Sequence, residues 1–204
     1  MGNEQTPKNE VEVKTTTTIE EKRDAREFIL NKDVNAESIE NIIMSIFEIN
    51  RIDEEKESKD DKHVREPIKI IVNTYGGSIY DGFALCGAID TSVTPIYTYC
   101  YGKAMSMGFL IFAFGHKRFA HPLATFMYHQ GSGGIHDKFE GIGDYCKQAD
   151  VLNNMYDEYV VSLTKIEKKK LKKVQREKRD WYIRTKEAVE LGLVDAILES
   201  KRKK

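Results

Sequence analysis

Apolar residues follow two different spacings along the chain, and each spacing predicts a different kind of element. Short continuous apolar runs, from Ile68 to Asn73 and from Val93 to Tyr101, are typical of buried strands. Elsewhere apolar residues recur three and four positions apart, which is the pattern of an amphipathic helix. The first such helix follows Asn35, a residue type that often caps helices, and it carries Ile39, Ile42, Ile43, Ile46 and Phe47.

The predicted elements alternate between strand and helix over most of the chain. The turn Thr74–Ser78 leads into one helix, and another begins at Ser106, after the next strand. Because strands that alternate with helices tend to lie parallel, we expect an α/β domain with at least part of its sheet parallel. The last predicted strand follows a short helix that Thr185 caps and Gly192 ends. The predicted strands are Arg26–Leu30, Ile68–Asn73, Val93–Tyr101, Lys117–Ala120, Thr125–His129 and Leu193–Leu198.

A long amphipathic stretch runs from Ile135 to Leu163. As a helix it would be roughly 40 Å long, so we expect it to project from a domain of this size. Its apolar stripe needs a surface to pack on, and a partner subunit is the natural candidate. The stripe consists of Ile135, Phe139, Ile142, Cys146, Ala149, Leu152, Tyr156, Val160 and Leu163.

Polar segments set the expected boundaries of the domain. Residues 1–25 are predicted to be a flexible polar N-terminal arm, residues 26–198 the folded domain, and residues 199–204 a basic tail. The charged stretch Glu54–Glu66 has almost nothing to bury and is predicted to be a surface loop. The basic run Lys168–Lys173 is interpreted as a solvated face.

Composition narrows the classes of protein that fit. A formal net charge of −1 gives no reason to expect a nucleic-acid binder, and no apolar run is long enough to cross a membrane. The first ten residues lack the apolar region of a signal peptide. Three cysteines cannot all pair within the chain, so we expect buried free thiols at Cys86, Cys100 and Cys146, and a reducing, cytoplasmic location.

Ser106 and His129 are the residues that most suggest chemistry. Ser106 lies at a predicted helix start, and His129 closes a strand twenty-three positions later. A serine hydroxyl becomes a good nucleophile when a neighbouring base takes its proton. The Gly76-Gly77 turn offers unobstructed backbone N–H groups for an oxyanion, although a simple tight turn explains it equally well. Spacing alone cannot choose an orienting carboxylate among 33 acidic residues.

Four ordered motifs resemble those of the ClpP family of serine peptidases, over about Arg26 to Leu198. They are the strand end and turn Val72–Gly77, the serine segment Gly102–Gly108, the histidine segment Met127–Gln130, and the segment Arg179–Tyr182, which is followed by Gly192–Asp195. Any one of these motifs is weak, but four with compatible spacing form a specific signal.

The resemblance implies a catalytic site residue by residue. It implies that Ser106 is the nucleophile, His129 the general base and then acid, and Asp180 the carboxylate that orients His129. The backbone N–H groups of Gly77 and Met107 would form the oxyanion hole. No metal or organic cofactor is implied, because such a triad supplies the proton transfers.

The resemblance also implies the larger architecture. We expect a crotonase-like α/β fold and an oligomer of two stacked seven-membered rings that enclose the active sites. The helix from about Ile135 would be the handle through which the rings meet. The substrates would be peptides and unfolded proteins, and family members receive folded proteins from an AAA+ Clp ATPase.

Several positions depart from the family pattern. Tyr75 and Gly131 replace prolines, and Lys103 replaces a glutamine of the serine segment. At two positions that help form the family's ATPase-docking pocket, aromatic residues are replaced by Lys69 and Ile71. The ATPase is therefore a possible partner, but one that these substitutions put in doubt.

The leading hypothesis is a serine endopeptidase that works through an acyl-enzyme on Ser106. One alternative is a non-catalytic ring subunit of the same fold, against which the intact set of Ser106, His129 and Asp180 argues. A second is a crotonase-type acyl-CoA enzyme, which does not need a nucleophilic serine paired with a histidine. A third is a specialised processing protease that cuts virion or scaffold proteins, which the altered docking positions would fit.

Overall fold

The computed structural model of the protein describes residues 26–134 and 138–200. The predicted N-terminal arm of residues 1–25, the first stripe residue Ile135 and the end of the basic tail, residues 201–204, lie outside the described residues.

The strands are β1 (Glu27–Leu30), β2 (Ile68–Val72), β3 (Ile96–Cys100), β4 (Lys103–Met105), β5 (Lys117–Ala120), β6 (Thr125–Tyr128), β7 (Trp181–Arg184) and β8 (Ala196–Ile197). The helices are α1 (Ala36–Glu57), α2 (Ile79–Asp90), α3 (Met107–Ala113), α4 (Phe139–Leu163), α5 (Lys168–Glu177) and α6 (Thr185–Glu190).

Two sheets share one core. The larger sheet has five strands in the order β1-β2-β3-β5-β8, all parallel, so the predicted α/β class is confirmed. The smaller sheet has the order β4-β6-β7, in which β4 and β6 are parallel and β6 and β7 are antiparallel. Helix α3 is buried along its whole length and contacts strands of both sheets. Its apolar sequence, Met107–Ala113, suits this central position.

The start of α1 is as the sequence predicts. The side chain of Asn35 accepts a hydrogen bond from the N–H of Ser38, and the Ser38 hydroxyl accepts one from the N–H of Asn35. This reciprocal pair satisfies two N–H groups that the first turn of a helix leaves without partners.

The predicted loop Glu54–Glu66 is wrong at its first residues, because α1 continues to Glu57. Ion pairs from Arg51 to Glu48 and Glu55, three and four positions away, stabilise this last part of the helix. The basic run from Lys168 also belongs to a helix, α5, which buries Leu171 on its inner face.

Three smaller predictions need correction. Thr185 is the first residue of α6 and does not cap it; its hydroxyl donates to the carbonyl oxygens of His121 and Ala124. Cys146 is exposed on α4, whereas Cys86 and Cys100 are buried and free as expected. The last predicted strand shrinks to the two residues of β8, and the short strands β4 and β7 were not predicted.

None of the helices in residues 26–134 and 138–200 is both long enough and apolar enough to span a membrane.

A buried ion pair ties the start of β1 to α1. The guanidinium of Arg26 donates to both carboxylate oxygens of Asp53, at 2.9 and 2.6 Å, and the Thr94 hydroxyl donates to Asp53 at 2.8 Å. Burial raises the pKa of Asp53, but the hydrogen bonds from Arg26 and Thr94 outweigh this effect. The resulting pKa is about 2. Asp53 therefore stays ionised at neutral pH.

This depressed pKa predicts how stability depends on pH. Asp53 stabilises the fold above its unfolded pKa of 3.8, and the contribution disappears as the pH falls toward 2. We expect Asp53 to account for a loss of about 2 kcal/mol in the free energy of unfolding between pH 5 and pH 2. Denaturant unfolding across this pH range measures it.

Replacing Arg26 by Met should destabilise the protein most at neutral pH, since it leaves the Asp53 charge buried with fewer partners. The difference from wild type should shrink as the pH falls from 4 to 2, because Asp53 becomes protonated first in the variant and then in the wild type. Arg51→Met, which removes only exposed pairs, is the control. If the free energies of unfolding of the wild type and of Arg26→Met changed in parallel with pH, the ion pair would contribute nothing to the pH dependence of stability.

Candidate active site

Ser106 lies at a sharp turn between β4 and α3 in a backbone conformation that is unusual for a residue with a side chain. Its φ is 51° and its ψ is −123°. A residue with a Cβ avoids positive φ, so surrounding contacts must hold it there. The N–H of Ser106 donates to the Met127 carbonyl at 2.9 Å, and its carbonyl accepts from the Tyr156 hydroxyl at 2.8 Å. These two bonds join the serine to β6 and to α4.

The glycine turn before α2 packs directly against this serine. A Cβ on Gly76 would lie 2.7 Å from the Cβ of Ser106 and 2.9 Å from the backbone nitrogen of Met107. Gly76 and Gly77 also have φ values of 108° and 149°, which residues with side chains rarely adopt. Only glycine allows the turn and the serine to approach this closely.

His129 directly follows β6 and contacts the serine. Its Nε2 is 2.8 Å from the Oγ of Ser106, which is hydrogen-bonding distance. For Nε2 to accept the serine proton, the ring proton must be on Nδ1. The parallel pairing of β4 with β6 explains the meeting, because Met105, the last residue of β4, lies opposite Met127, and β6 ends one residue later, at Tyr128.

Asp180 directly precedes β7, and strand register brings it to His129. In the antiparallel pair β6–β7, Tyr128 lies opposite Trp181, so the next residue outward on each strand is His129 and Asp180. The Asp180 Oδ1 is 3.8 Å from the Nδ1 of His129, which is longer than a hydrogen bond. The Asp180 side chain is half exposed, and the Tyr182 hydroxyl donates to its other oxygen at 3.4 Å.

Two backbone N–H groups beside the serine are available to a ligand. Residues 76–78 pair with Val34 through the Gly76 carbonyl and the Ser78 N–H, so the N–H of Gly77 faces the other way. Met107 is the first residue of α3, where an N–H has no partner in its own helix. Within the part of the chain that the structure describes, neither N–H donates a hydrogen bond.

Sequence reasoning missed the contribution of Tyr156. The residue fits the apolar stripe of α4, and its spacing says nothing about its hydroxyl. In the structure Tyr156 is buried and its hydroxyl holds the Ser106 carbonyl. Burial raises the pKa of Tyr156 well above its ordinary value, so the hydroxyl keeps its proton and acts as a donor.

The other described histidines have structural surroundings. His116 accepts the Ile96 N–H with its Nδ1, and burial lowers the pKa of His116, which favours the neutral ring. His63 lies 3.5 Å from the buried Asp53. His136 lies outside the described residues. In residues 26–134 and 138–200, no three His, Cys, Asp or Glu side chains are grouped as a metal site would require.

Comparisons with known proteins identify the family and the fold of the chain. The family model described as Clp protease matches residues 10–201. An ATP-dependent Clp protease proteolytic subunit of Deinococcus radiodurans is 29% identical over 149 residues, which cover 70% of each chain. A solved mutant of ClpP1 from Listeria monocytogenes superposes with a TM-score of 0.72 at 20% identity, covering 92% of this chain and 96% of that one. The likeness to this structure confirms the predicted crotonase-like fold.

The close approach of Gly76 to Ser106 gives a test of the site. Gly76→Ala should reduce peptide cleavage severely, because the new methyl group must displace Ser106 or the Met107 backbone. The matched control is Gly87→Ala on α2, where an added Cβ meets no atom within 4 Å. That change should stabilise the helix slightly and leave cleavage intact. Equal rates in the two variants would contradict the close approach.

Proposed function

The chain belongs to the Clp protease family, and we propose that it is a serine endopeptidase that cleaves peptides and unfolded proteins through an acyl-enzyme on Ser106. The single observation that carries this proposal is the 2.8 Å contact between the His129 Nε2 and the Ser106 Oγ. The strained backbone at Ser106 supports it, because such strain clusters at functional sites.

Each step of the proposed reaction uses a named group. His129 removes the proton from the Ser106 hydroxyl as the oxygen attacks the peptide carbonyl carbon. The oxyanion that forms accepts hydrogen bonds from the N–H groups of Gly77 and Met107. His129 then protonates the leaving amine, and a water molecule, activated by His129 in the same way, hydrolyses the acyl-enzyme. The chemistry requires no metal or organic cofactor.

Asp180 is the proposed orienter of His129. At 3.8 Å its carboxylate is too far from Nδ1 for a direct hydrogen bond. A shift of about 1 Å would close this gap. The Asp180 side chain is half exposed, so little in a single subunit opposes that shift. We propose that contact with a neighbouring subunit brings Asp180 into hydrogen bonding, so that activity depends on assembly.

The surface of α4 supports assembly through this helix. The helix has 25 residues, and large apolar side chains remain exposed along it. Large apolar side chains exposed on a soluble protein often mark an interaction surface when they are clustered. We propose a homo-oligomer of two stacked seven-membered rings, joined through α4, although mixed rings with a related subunit would cover the same surface. The exposed residues are Phe139, Tyr145, Val151, Met155 and Tyr159. Of these only Phe139 belongs to the predicted stripe, whose Leu152, Tyr156 and Val160 are buried within the subunit.

The alternatives differ in what they demand of the site. A non-catalytic ring subunit needs no serine within hydrogen-bonding distance of a histidine, and an acyl-CoA enzyme of this fold needs only the two backbone donors. A specialised processing protease would use the same chemistry on a narrower set of proteins.

We propose a cytoplasmic location, which suits the free thiols of Cys86 and Cys100.

The surface around Lys69 bears on the proposed ATPase partner. Lys69 lies 2.6 Å from the Glu27 carboxylate, so its charge is paired. A docking segment that covered this pair would still have to remove both charges from water. Ile71, in the same strand, neighbours Tyr99, which stacks on Phe119. We propose that an AAA+ Clp ATPase docks here only weakly.

Covalent labelling tests the nucleophile. A fluorophosphonate probe should label Ser106, as mapped by mass spectrometry, and Ser106→Ala should abolish labelling and peptide cleavage without loss of fold. Asp180→Asn should lower the cleavage rate strongly, since it disfavours the required His129 tautomer. Ser58→Ala, in an exposed loop, is the control. Labelling at another serine would overturn the assignment.

Assembly can be tested at α4. Val151→Glu places a charge among the exposed apolar residues of α4, and we expect smaller particles by light scattering together with loss of peptide cleavage. Lys147→Glu, at a polar position of the same helix, should leave both unchanged. A fully active monomer would contradict the dependence on assembly.

The docking proposal predicts a gain of function. With a bacterial Clp unfoldase and ATP, the wild type should degrade a tagged folded protein poorly while it cleaves a short fluorogenic peptide without ATP. Lys69→Tyr should increase the ATP-dependent rate alone, whereas Lys62→Tyr, in the loop before β2, should not. Efficient ATP-dependent degradation by the wild type would show that Lys69 does no harm.

A further inference from the structure

Two neighbouring residues of α4, Tyr156 and Asp157, contact the two segments that carry Ser106 and His129. Tyr156 reaches the serine turn, where its hydroxyl donates to the Ser106 carbonyl at 2.8 Å. Asp157 is fully buried and accepts a hydrogen bond from the hydroxyl of Tyr128 at 2.5 Å. Tyr128 is the residue directly before His129, so one turn of α4 fixes both halves of the Ser106–His129 pair.

The Tyr128 hydroxyl is a dependable donor to Asp157. Burial raises the pKa of Tyr128 far above its ordinary value, and the hydrogen bond to Asp157 raises it further, so the hydroxyl keeps its proton. One turn earlier on α4, the Asn153 side chain accepts the N–H of Gly131 at 3.0 Å. Segments on both sides of His129 are thus attached to the same face of α4.

Helix α5 completes the surroundings of Asp157. Gln175 donates to both carboxylate oxygens, at 3.1 and 3.0 Å, and to the Tyr128 hydroxyl at 2.7 Å. The ammonium of Lys172 lies 3.1 Å from the Asp157 Oδ2 and is 40% exposed. A buried carboxylate with this many donors is well satisfied.

The same helix leads to Asp180. Helix α5 ends at Glu177, and Lys178 follows in a left-handed conformation with a φ of 50°. The Arg179 N–H donates back to the Val174 carbonyl, one residue before Gln175. Asp180 comes next, only five residues after Gln175. A movement of α5 that alters the bonds of Gln175 to Asp157 would therefore move Asp180 as well.

We propose that Asp157, together with Tyr128 and Tyr156, forms a positioning network that sets the relative placement of Ser106, His129 and Asp180. The three side chains are positioning residues, since none of them contacts the reacting atoms. Asp157 is the centre of the network because it joins β6, α4 and α5. This inference rests on the proposed serine-peptidase function. It adds an account of how the reacting groups are held in place, which the triad and the oxyanion donors do not explain by themselves.

The network has a physical reason to affect rate more than substrate binding. A displacement of about 1 Å at the reacting groups can lower a rate on the order of 100-fold. The hydroxyls of Tyr128 and Tyr156 and the carboxylate of Asp157 bond to groups of the protein itself. The expected signature is therefore a fall in kcat with little change in KM.

Single-hydroxyl deletions test the network. Tyr128→Phe and Tyr156→Phe each remove one hydrogen bond and keep the ring in the core. Each should lower kcat on a short peptide by about 10- to 100-fold, with KM within about twofold of wild type. The rate of fluorophosphonate labelling at Ser106 should fall in parallel. Tyr97→Phe is the matched control, because the Tyr97 hydroxyl makes no hydrogen bond among the described residues.

Substitutions at the centre give a graded series. Asp157→Asn keeps the shape and one acceptor oxygen, so it should retain more activity than Asp157→Ala. The combination Tyr128→Phe with Asp157→Ala should lower kcat by less than the product of the single effects, because each change removes the same contact between these two side chains. Light scattering on every variant establishes that the assembly is that of the wild type.

The outcomes separate this inference from the function on which it rests. A wild-type protein that is neither labelled at Ser106 nor able to cleave peptides would refute the proposed function. A labelled, active wild type alongside either Phe variant with unchanged kcat and labelling rate would overturn the positioning network alone. Failure of both Phe variants to assemble would overturn it too, since the hydroxyls would then serve the fold.

Discussion

The strained turn at Ser106 is the constraint on which the site depends. A residue with a side chain keeps a φ of 51° only when contacts with its neighbours hold the backbone in this strained conformation. Here the Ser106 N–H is bonded to β6, its carbonyl is bonded to Tyr156 of α4, and Gly76 closes over its Cβ. The buried helix α3 follows directly and anchors the turn in the core. Core packing and the half-buried serine side chain are thus parts of one arrangement.

The small sheet converts this turn into a potential catalytic site. Strand β6 lies between β4 and β7, so the three strand ends bring together segments that are far apart in the chain. Parallel pairing with β4 sets His129 beside Ser106, and antiparallel pairing with β7 sets Asp180 beside His129. A shift of one residue in either register would turn the neighbouring side chains to the other face of the sheet. Register is therefore as important to this site as the identity of its residues.

The single subunit has features that suit an assembled state. The contact between Ser106 and His129 is complete, whereas Asp180 remains 3.8 Å from the imidazole. Helix α4 carries exposed apolar residues, while Tyr156 and Asp157 of the same helix bond to the Ser106 carbonyl and to Tyr128. A helix that contacts both a neighbouring subunit and the site would link the two, because packed helices move as rigid units.

The amino-acid sequence by itself determined the alternation of strands and helices, the capped start of α1 at Asn35, and the motifs that pointed to Ser106, His129 and Asp180. These are local properties, since periodicity, caps and short motifs each depend on neighbouring residues. Only the tertiary structure decided the hydrogen bonds of Tyr156 and Asp157. The sequence places Tyr156 in an amphipathic stripe and Asp157 beside it, and it indicates no hydrogen bond for either. The tertiary structure also decided the strands β4 and β7, which are too short to show a period and form because β6 provides partners on both of its edges. Strand pairing between distant segments and burial determine these features, and the spacing of residues along the chain indicates neither of them.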